Sequence, residues 1–311
     1  MRPLTCLIAA GMLAVSAPRV WAAANVAYGE AFDTLYSVQL DSRQATELGR
    51  SGLFRGQIIG NISGLTTTAD GSLYAAAGGF KLLVKIDPQD GRASVIGSFG
   101  LDGQGDPSRN DALDLNMIAG CDDTLWLSSA VANKLWKVDP ASGATTLVGS
   151  TGHTITGLAA RGDRLYGAGG KGDNNFYGID PQTGAATLIG PFGPAVTTWV
   201  NSISMSFDDA GTLWAVINYV PPLDNSQPVA DWSDLATIDP ATGTVTVLGP
   251  VTGPESLRQV GMKGFTVGPT QCTRGTTGTH AAPVGSPWAL ALLGLLLAAA
   301  GAGGAARALR R

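Results

Sequence analysis

The chain has 311 residues, 44% hydrophobic and 14% charged, with 43 Gly, 17 Pro, 3 Cys and 2 His. Such length and apolar content allow one large domain or two ordinary ones and exclude a wholly disordered chain, and the lack of a three-residue glycine period excludes collagen. All 24 acidic residues lie between positions 25 and 272 against 14 Lys and Arg, a net charge of −10, the wrong sign for a nucleic-acid binder.

Residues 1–24 read as a secretory signal peptide. Met1 is followed by the charge of Arg2, then by an apolar run over 4–15 that is short for a membrane span. Val20-Trp21-Ala22 and Ala22-Ala23-Ala24 both fit the small-x-Ala rule for cleavage. Cys6 leaves with the signal. An uncleaved anchor is the alternative.

One pattern recurs over 25–272. Ile86-Asp87-Pro88-Gln89-Asp90-Gly91 leads into Ser94-Val95-Ile96-Gly97. Val138-Asp139-Pro140-Ala141-Ser142-Gly143 leads into Thr146-Leu147-Val148-Gly149. Ile179-Asp180-Pro181-Gln182-Thr183-Gly184 leads into Thr187-Leu188-Ile189-Gly190. Ile238-Asp239-Pro240-Ala241-Thr242-Gly243 leads into Thr246-Val247-Leu248-Gly249. A degenerate first copy runs from Leu35-Tyr36-Ser37-Val38-Gln39 to Thr46-Glu47-Leu48-Gly49. The Asp positions, counting Gln39, are 48, 52, 41 and 59 residues apart, a repeat architecture. Asp bonds back to the backbone, Pro pre-sets φ, and Gly accepts the left-handed conformation, so each copy predicts an outer β-hairpin. Upstream of each lies a second hairpin, as in Met117-Ile118-Ala119 to Leu125-Trp126-Leu127. Two hairpins per repeat make a four-stranded propeller blade. The first copy lacks its inner strand, and an orphan strand over 260–267 follows the last. The expected fold is therefore an all-β, five-bladed β-propeller closed by N- and C-terminal strands, plus one C-terminal transmembrane helix. Closure leaves no open sheet edge.

The connections carry the candidate site residues. Asn61, Asn116, Thr154, Asn201 (or Ser202) and Gln259 enter the inner strands and are expected to ring the channel, with Trp199 above them and Glu255 and Arg258 adding charge. The longest inter-hairpin loop spans 219–232, and loops of that length often carry function. Asp102, Asp106, Asp111 and Asp114 crowd one turn-rich connection. They read as a solvated acidic loop whose oxygen density would also suit Ca²⁺, although no EF-hand spacing is present. No other cofactor is expected. His153 reads as a solvated loop histidine, with a catalytic base as the alternative, and the other histidine of the mature chain, His280, sits in the linker. Cys121 and Cys272 have no zinc-ligand spacing. As an even pair in an oxidising compartment they are candidates for a bridge near the axis, which requires the tail to cross the channel opening.

Residues 273–287 have the Thr, Gly, Ala and Pro content of a linker. Residues 288–306 carry no charge and nearly cross a hydrocarbon core of about 30 Å. Arg307, Arg310 and Arg311 follow, and the positive-inside rule keeps 307–311 cytoplasmic.

Two resemblances accompany this reading. Residues 26 to 268 resemble secreted bacterial propellers built from Leu-Tyr-x-Ile-Asp-x-x-Thr-Gly repeats, a family mostly without assigned activity. The tail, Pro283-Val284-Gly285-Ser286-Pro287-Trp288-Ala289-Leu290 with its Ala/Leu helix and Arg cluster, resembles the IPTL-type relatives of PEP-CTERM sorting signals. Here Ala282-Pro283-Val284-Gly285 stands where that family has Ile-Pro-Thr-Leu. The second resemblance implies recognition by export machinery at the inner membrane of a Gram-negative bacterium. The expected function is an exported cell-surface or extracellular module, held by its tail transiently or permanently, that binds a protein or polysaccharide. The rivals are a secreted glycoside hydrolase using Asp114 and Glu255 at the channel mouth, and a periplasmic scaffold.

Overall fold

The computed structural model describes residues 25–196, 199–219, 233–258 and 260–272. The expected signal (1–24), linker (273–287), membrane span (288–306) and Arg-rich end (307–311) lie outside the described residues, as do most of the long loop and Gln259.

Five antiparallel four-stranded sheets form the blades of a propeller. Blade II holds Ile62–Thr67, Leu73–Ala77, Leu82–Ile86 and Ala93–Ser98. Blade III holds Leu115–Ala119, Leu125–Ser129, Lys134–Val138 and Thr145–Ser150. Blade IV holds Gly157–Arg161, Arg164–Ala168, Asn175–Ile179 and Ala186–Pro191. Blade V holds Val200–Phe207, Leu213–Tyr219, Ser233–Ile238 and Val245–Pro250. Blade I takes Val26–Ala31, Thr34–Gln39 and Ala45–Arg50 from the start of the domain and Gly264–Thr266 from its end. Tyr28, Gly29 and Glu30 oppose Thr266, Phe265 and Gly264. The orphan strand closes the ring as expected, but it is three residues long rather than eight. A short hairpin, Leu53–Phe54 with Gln57–Ile58, was not expected. Among the described residues no helix is long and apolar enough to cross a membrane.

The cores lie between blades. Five apolar clusters occupy the five interblade seams. In blade III, Leu125 and Leu127 face blade II while Trp126 faces blade IV. Middle strands are thus buried on both faces, which is why they read as continuous apolar runs rather than as alternation.

The repeat's two glycines meet across these seams. In the outer turn of blade III the Gly143 amide donates to Asp139 O at 2.8 Å, with Gly143 at φ 78°. Where the outer strands pair, the register slips by one residue at the same place in all five blades. This bulge tilts Leu48, Ile96, Val148 and Ile189 onto the next blade's core. It also brings the following glycine against the next outer turn. A Cβ on Gly97 would overlap the carbonyl oxygen of Ser142, and Gly49 and Gly149 stand the same way against Asp90 and Thr183. The seam from V to I departs from the pattern. There Arg43 (φ 60°) replaces the turn glycine, and Ala45 N donates to Thr252 O at 2.7 Å.

Candidate functional site

Near the axis each blade is tied to the next by a side chain. Lys263 Nζ donates to Asn61 Oδ1 at 3.1 Å, from blade I to blade II. Ser63 Oγ donates to Leu115 O at 2.6 Å. The Leu158 amide donates to Asn116 Oδ1 at 3.0 Å, and the Ile203 amide donates to Thr156 Oγ1 at 3.2 Å. Ser204 Oγ donates to Lys263 O, which completes the circuit. Buried polar atoms need partners, so these groups are first of all struts.

One end of the channel is closed by the C-terminal segment. Val267 N donates to Ser206 Oγ of blade V at 3.1 Å, and Thr270 Oγ1 donates to Ala119 O of blade III. The Gly162 amide of blade IV donates to Gln271 O at 2.9 Å. Pro269 bridges to Thr67 of blade II. The Cys121–Cys272 disulfide then fastens the segment to the inner hairpin of blade III.

The other end opens among the interblade connections. Its recess is lined by Asn61, Asp114, Lys171, Asn201, Ser202 and Lys263, with the axial struts below them. The space open to the centres of water-sized groups is small, about 20 Å³. A wider groove, about 630 Å³ by the same measure, lies at the closed end between blades III and IV, beside Cys121, Trp126 and Lys137.

The mouth is organised around one carboxylate. Arg109 donates to Asp114 twice, at 2.7 and 3.1 Å, and Lys171 Nζ lies 3.3 Å away. Burial alone would raise the Asp114 carboxyl; the Arg109 hydrogen bonds and Lys171 outweigh it and hold it below the usual range. Lys171 also donates to Asn201 Oδ1 at 3.1 Å. Burial lowers the Lys263 ammonium below the ordinary lysine value, and Lys171 and Arg109 push the same way against the pull of Asp114. Ser202 Oγ is buried without a hydrogen-bond partner. Trp199 is 53% exposed, and its ring sits against Gly172, next to Lys171.

The expected ring is therefore met in part. Asn61 and Asn201 line the recess, and Trp199 stands at its rim. Asn116 also lines the recess, at its base: it is 2% exposed, with both amide atoms engaged across blades. Thr154 does not line the recess; Thr156 does, because the loop runs two residues further before the strand begins. Gln259 and the side chain of Arg258 lie outside the described residues. Glu255 sits exposed on a one-turn helix, Glu255–Arg258, and does not line the recess, leaving Asp114 as its single carboxylate among the described residues. Sequence reasoning missed Lys171 and Lys263. The available signal was a lysine isolated among Gly169, Gly170 and Gly172, and another between Met262 and Gly264.

The acidic loop does not converge. Asp111 is paired with Lys81 and accepts from the amides of Gly103 and Gly105, which together hold its carboxyl at about 2. Asp102 lies 3.6 Å from the same lysine, and Asp106 caps the 3-10 turn Pro107–Arg109 by accepting from Ser108. Among the described residues no three His, Cys, Asp or Glu gather to hold a metal. His153 stacks on Tyr177 with centroids 4.4 Å apart, and its Nδ1 lies 3.8 Å from Asp173.

No protein-family model and no curated protein matches the chain. Several solved structures resemble it. One is a protein of unknown function from Bacteroides thetaiotaomicron, at 16% identity and TM-score 0.45, covering 61% of this chain; the chain spans about half, 53%, of that protein. Another is a gluconolactonase from Xanthomonas campestris, at 15% identity and TM-score 0.43, covering 74% of this chain and 77% of that one. A third is regucalcin, a calcium-binding protein from Agrobacterium tumefaciens, at 13% identity and TM-score 0.40, covering 69% of this chain and 66% of that one.

Proposed function

We propose that this propeller is an exported binding module that presents its open face to a protein or polysaccharide partner at the cell surface. The observation that carries the reading is the asymmetry of the channel. The segment from Val267 to Cys272 covers one end, so the polar groups of the recess face solvent at the other, where Trp199 is exposed. One carboxylate already held by two cations is a poor start for hydrolysis, which calls for two carboxyl groups across the scissile bond. The leader and the membrane-length tail read in the sequence support a location outside the inner membrane. Binding of the purified full-length protein to cell-surface polysaccharide fractions and to purified envelope proteins tests the function. Loss of binding in Trp199→Ala supports it, and binding that survives substitutions across this face overturns it. Fractionation after neutralising Arg307, Arg310 and Arg311 tests the address: unchanged surface delivery counts against the tail as its carrier.

A further inference from the structure

Carboxylates are numerous at the closed end of the ring. Four of the five outer turns carry Asp87, Asp139, Asp180 and Asp239, and the inner hairpins add acids such as Asp70 and Asp122, all at the closed end. At the open end Lys171 and Lys263 line the recess with Asp114, and Arg109 pairs with Asp114, while Asp102, Asp106, Asp111 and Asp173 lie in the connections outside the recess. Arg109 and Lys171 share the Asp114 carboxylate. Lys263 does not: among the described residues no carboxylate comes within 4.0 Å of its Nζ, and its one hydrogen bond goes to the neutral Asn61. A half-buried ammonium with no carboxylate in contact, in a recess also lined by Ser202 whose buried hydroxyl lacks a partner, is incomplete electrostatically. An oxyanion would complete it.

Size and surroundings narrow the ligand. The recess is small, about 20 Å³ for the centres of water-sized groups, so the anion's head enters and its body stays outside. Outside, the exposed indole of Trp199 offers a flat apolar face one residue from Lys171. We infer that the mouth binds the carboxylate of an acidic polysaccharide, on Lys263, Lys171 and the Ser202 hydroxyl, with the adjoining sugar ring packed on Trp199. This rests on the binding-module reading and names its ligand class.

Isothermal titration of the purified full-length protein with three probes tests it: an oligogalacturonate, the same oligomer methyl-esterified, and poly-glutamate. The oligogalacturonate binds. Esterification removes the charge but keeps the sugar, and weakens binding about tenfold or more, as loss of a charge-assisted hydrogen bond does. Poly-glutamate keeps the carboxylates without the ring and is weaker by a similar factor. Lys263→Met and Lys171→Met each weaken oligogalacturonate binding about tenfold or more, with thermal melts checking that the ring remains folded. Trp199→Ala, at an exposed position, repeats the test without risk to the fold, and Trp199→Phe restores part of the affinity. Equal binding of the ester overturns the anion and leaves the binding module standing. Poly-glutamate binding as tightly as the sugar overturns the polysaccharide in favour of a protein. Failure of all three probes overturns the inference, and a panel of neutral glycans then decides the binding-module reading separately.

Discussion

Cys121 and Cys272 are joined with their Cα atoms 5.3 Å apart, although 151 residues separate them in the chain. The bond spans blades that are not neighbours, because the segment leaving the closing strand crosses the channel before it reaches blade III. A loop of that length is nominally worth about 4–5 kcal/mol of stability by the chain-entropy estimate. Replacing both cysteines by serine should lower the melting temperature and free the segment after Thr266 for amide exchange before the blades open. Thiol titration of the unfolded, unreduced mature protein should find no free thiol.

Glu30 predicts a pH dependence of opposite sign to that of most carboxylates. It is fully buried, and neither side-chain oxygen has a hydrogen-bond partner. Burial, helped by Asp33, raises its carboxyl well above the usual value. The folded state therefore holds a proton that the unfolded chain releases earlier. This contribution is fully present below the unfolded carboxylate range and is lost as pH rises toward the folded value, by at most about 1.4 kcal/mol per pH unit. Glu30→Gln should match the parent in acid and become more stable than it as pH rises from about 5. Parallel stability curves for the two proteins would refute the assignment.

Gly97 should tolerate no side chain. The atom it would meet is a backbone carbonyl, which cannot rotate away. Gly97→Ala is expected to cost about 1–3 kcal/mol, as overpacking does. Gly79 has only an ordinary contact at 3.6 Å, and its change to Ala should stay within about 0.5 kcal/mol. Denaturant melts of the two variants make the comparison.

Calcium should not stabilise the acidic loop. Lys81, Arg109 and Lys171 already engage Asp111 and Asp114, so a cation would have to displace them. Saturating a real site at a hundred times its dissociation constant would add about 2.7 kcal/mol. A melting temperature unmoved by millimolar Ca²⁺ or by chelator is the expected result, and a rise of several degrees would overturn it.

The blades were legible in the sequence because hairpins are local. Asp139 accepts from the Ala141 and Gly143 amides within one turn that Pro140 pre-shapes, so their order along the chain carries the whole instruction. Closure was legible too, since an unpaired strand at each end of a repeat array has one economical partner. The second glycine of the motif was visible but had no local reason. Gly97 answers to Ser142, on another blade, and only packing brings them together. The recess was legible least of all. Lys171 and Lys263 are 92 residues apart and isolated in sequence, and the circular order of the blades is what turns both toward Asp114. A charge's worth depends on what surrounds it in space. The same ammonium is a solvated surface group beside water and an anion-seeking one beside two other cations. The chain order determines which residues exist at each loop; the ring decides which of them share a mouth.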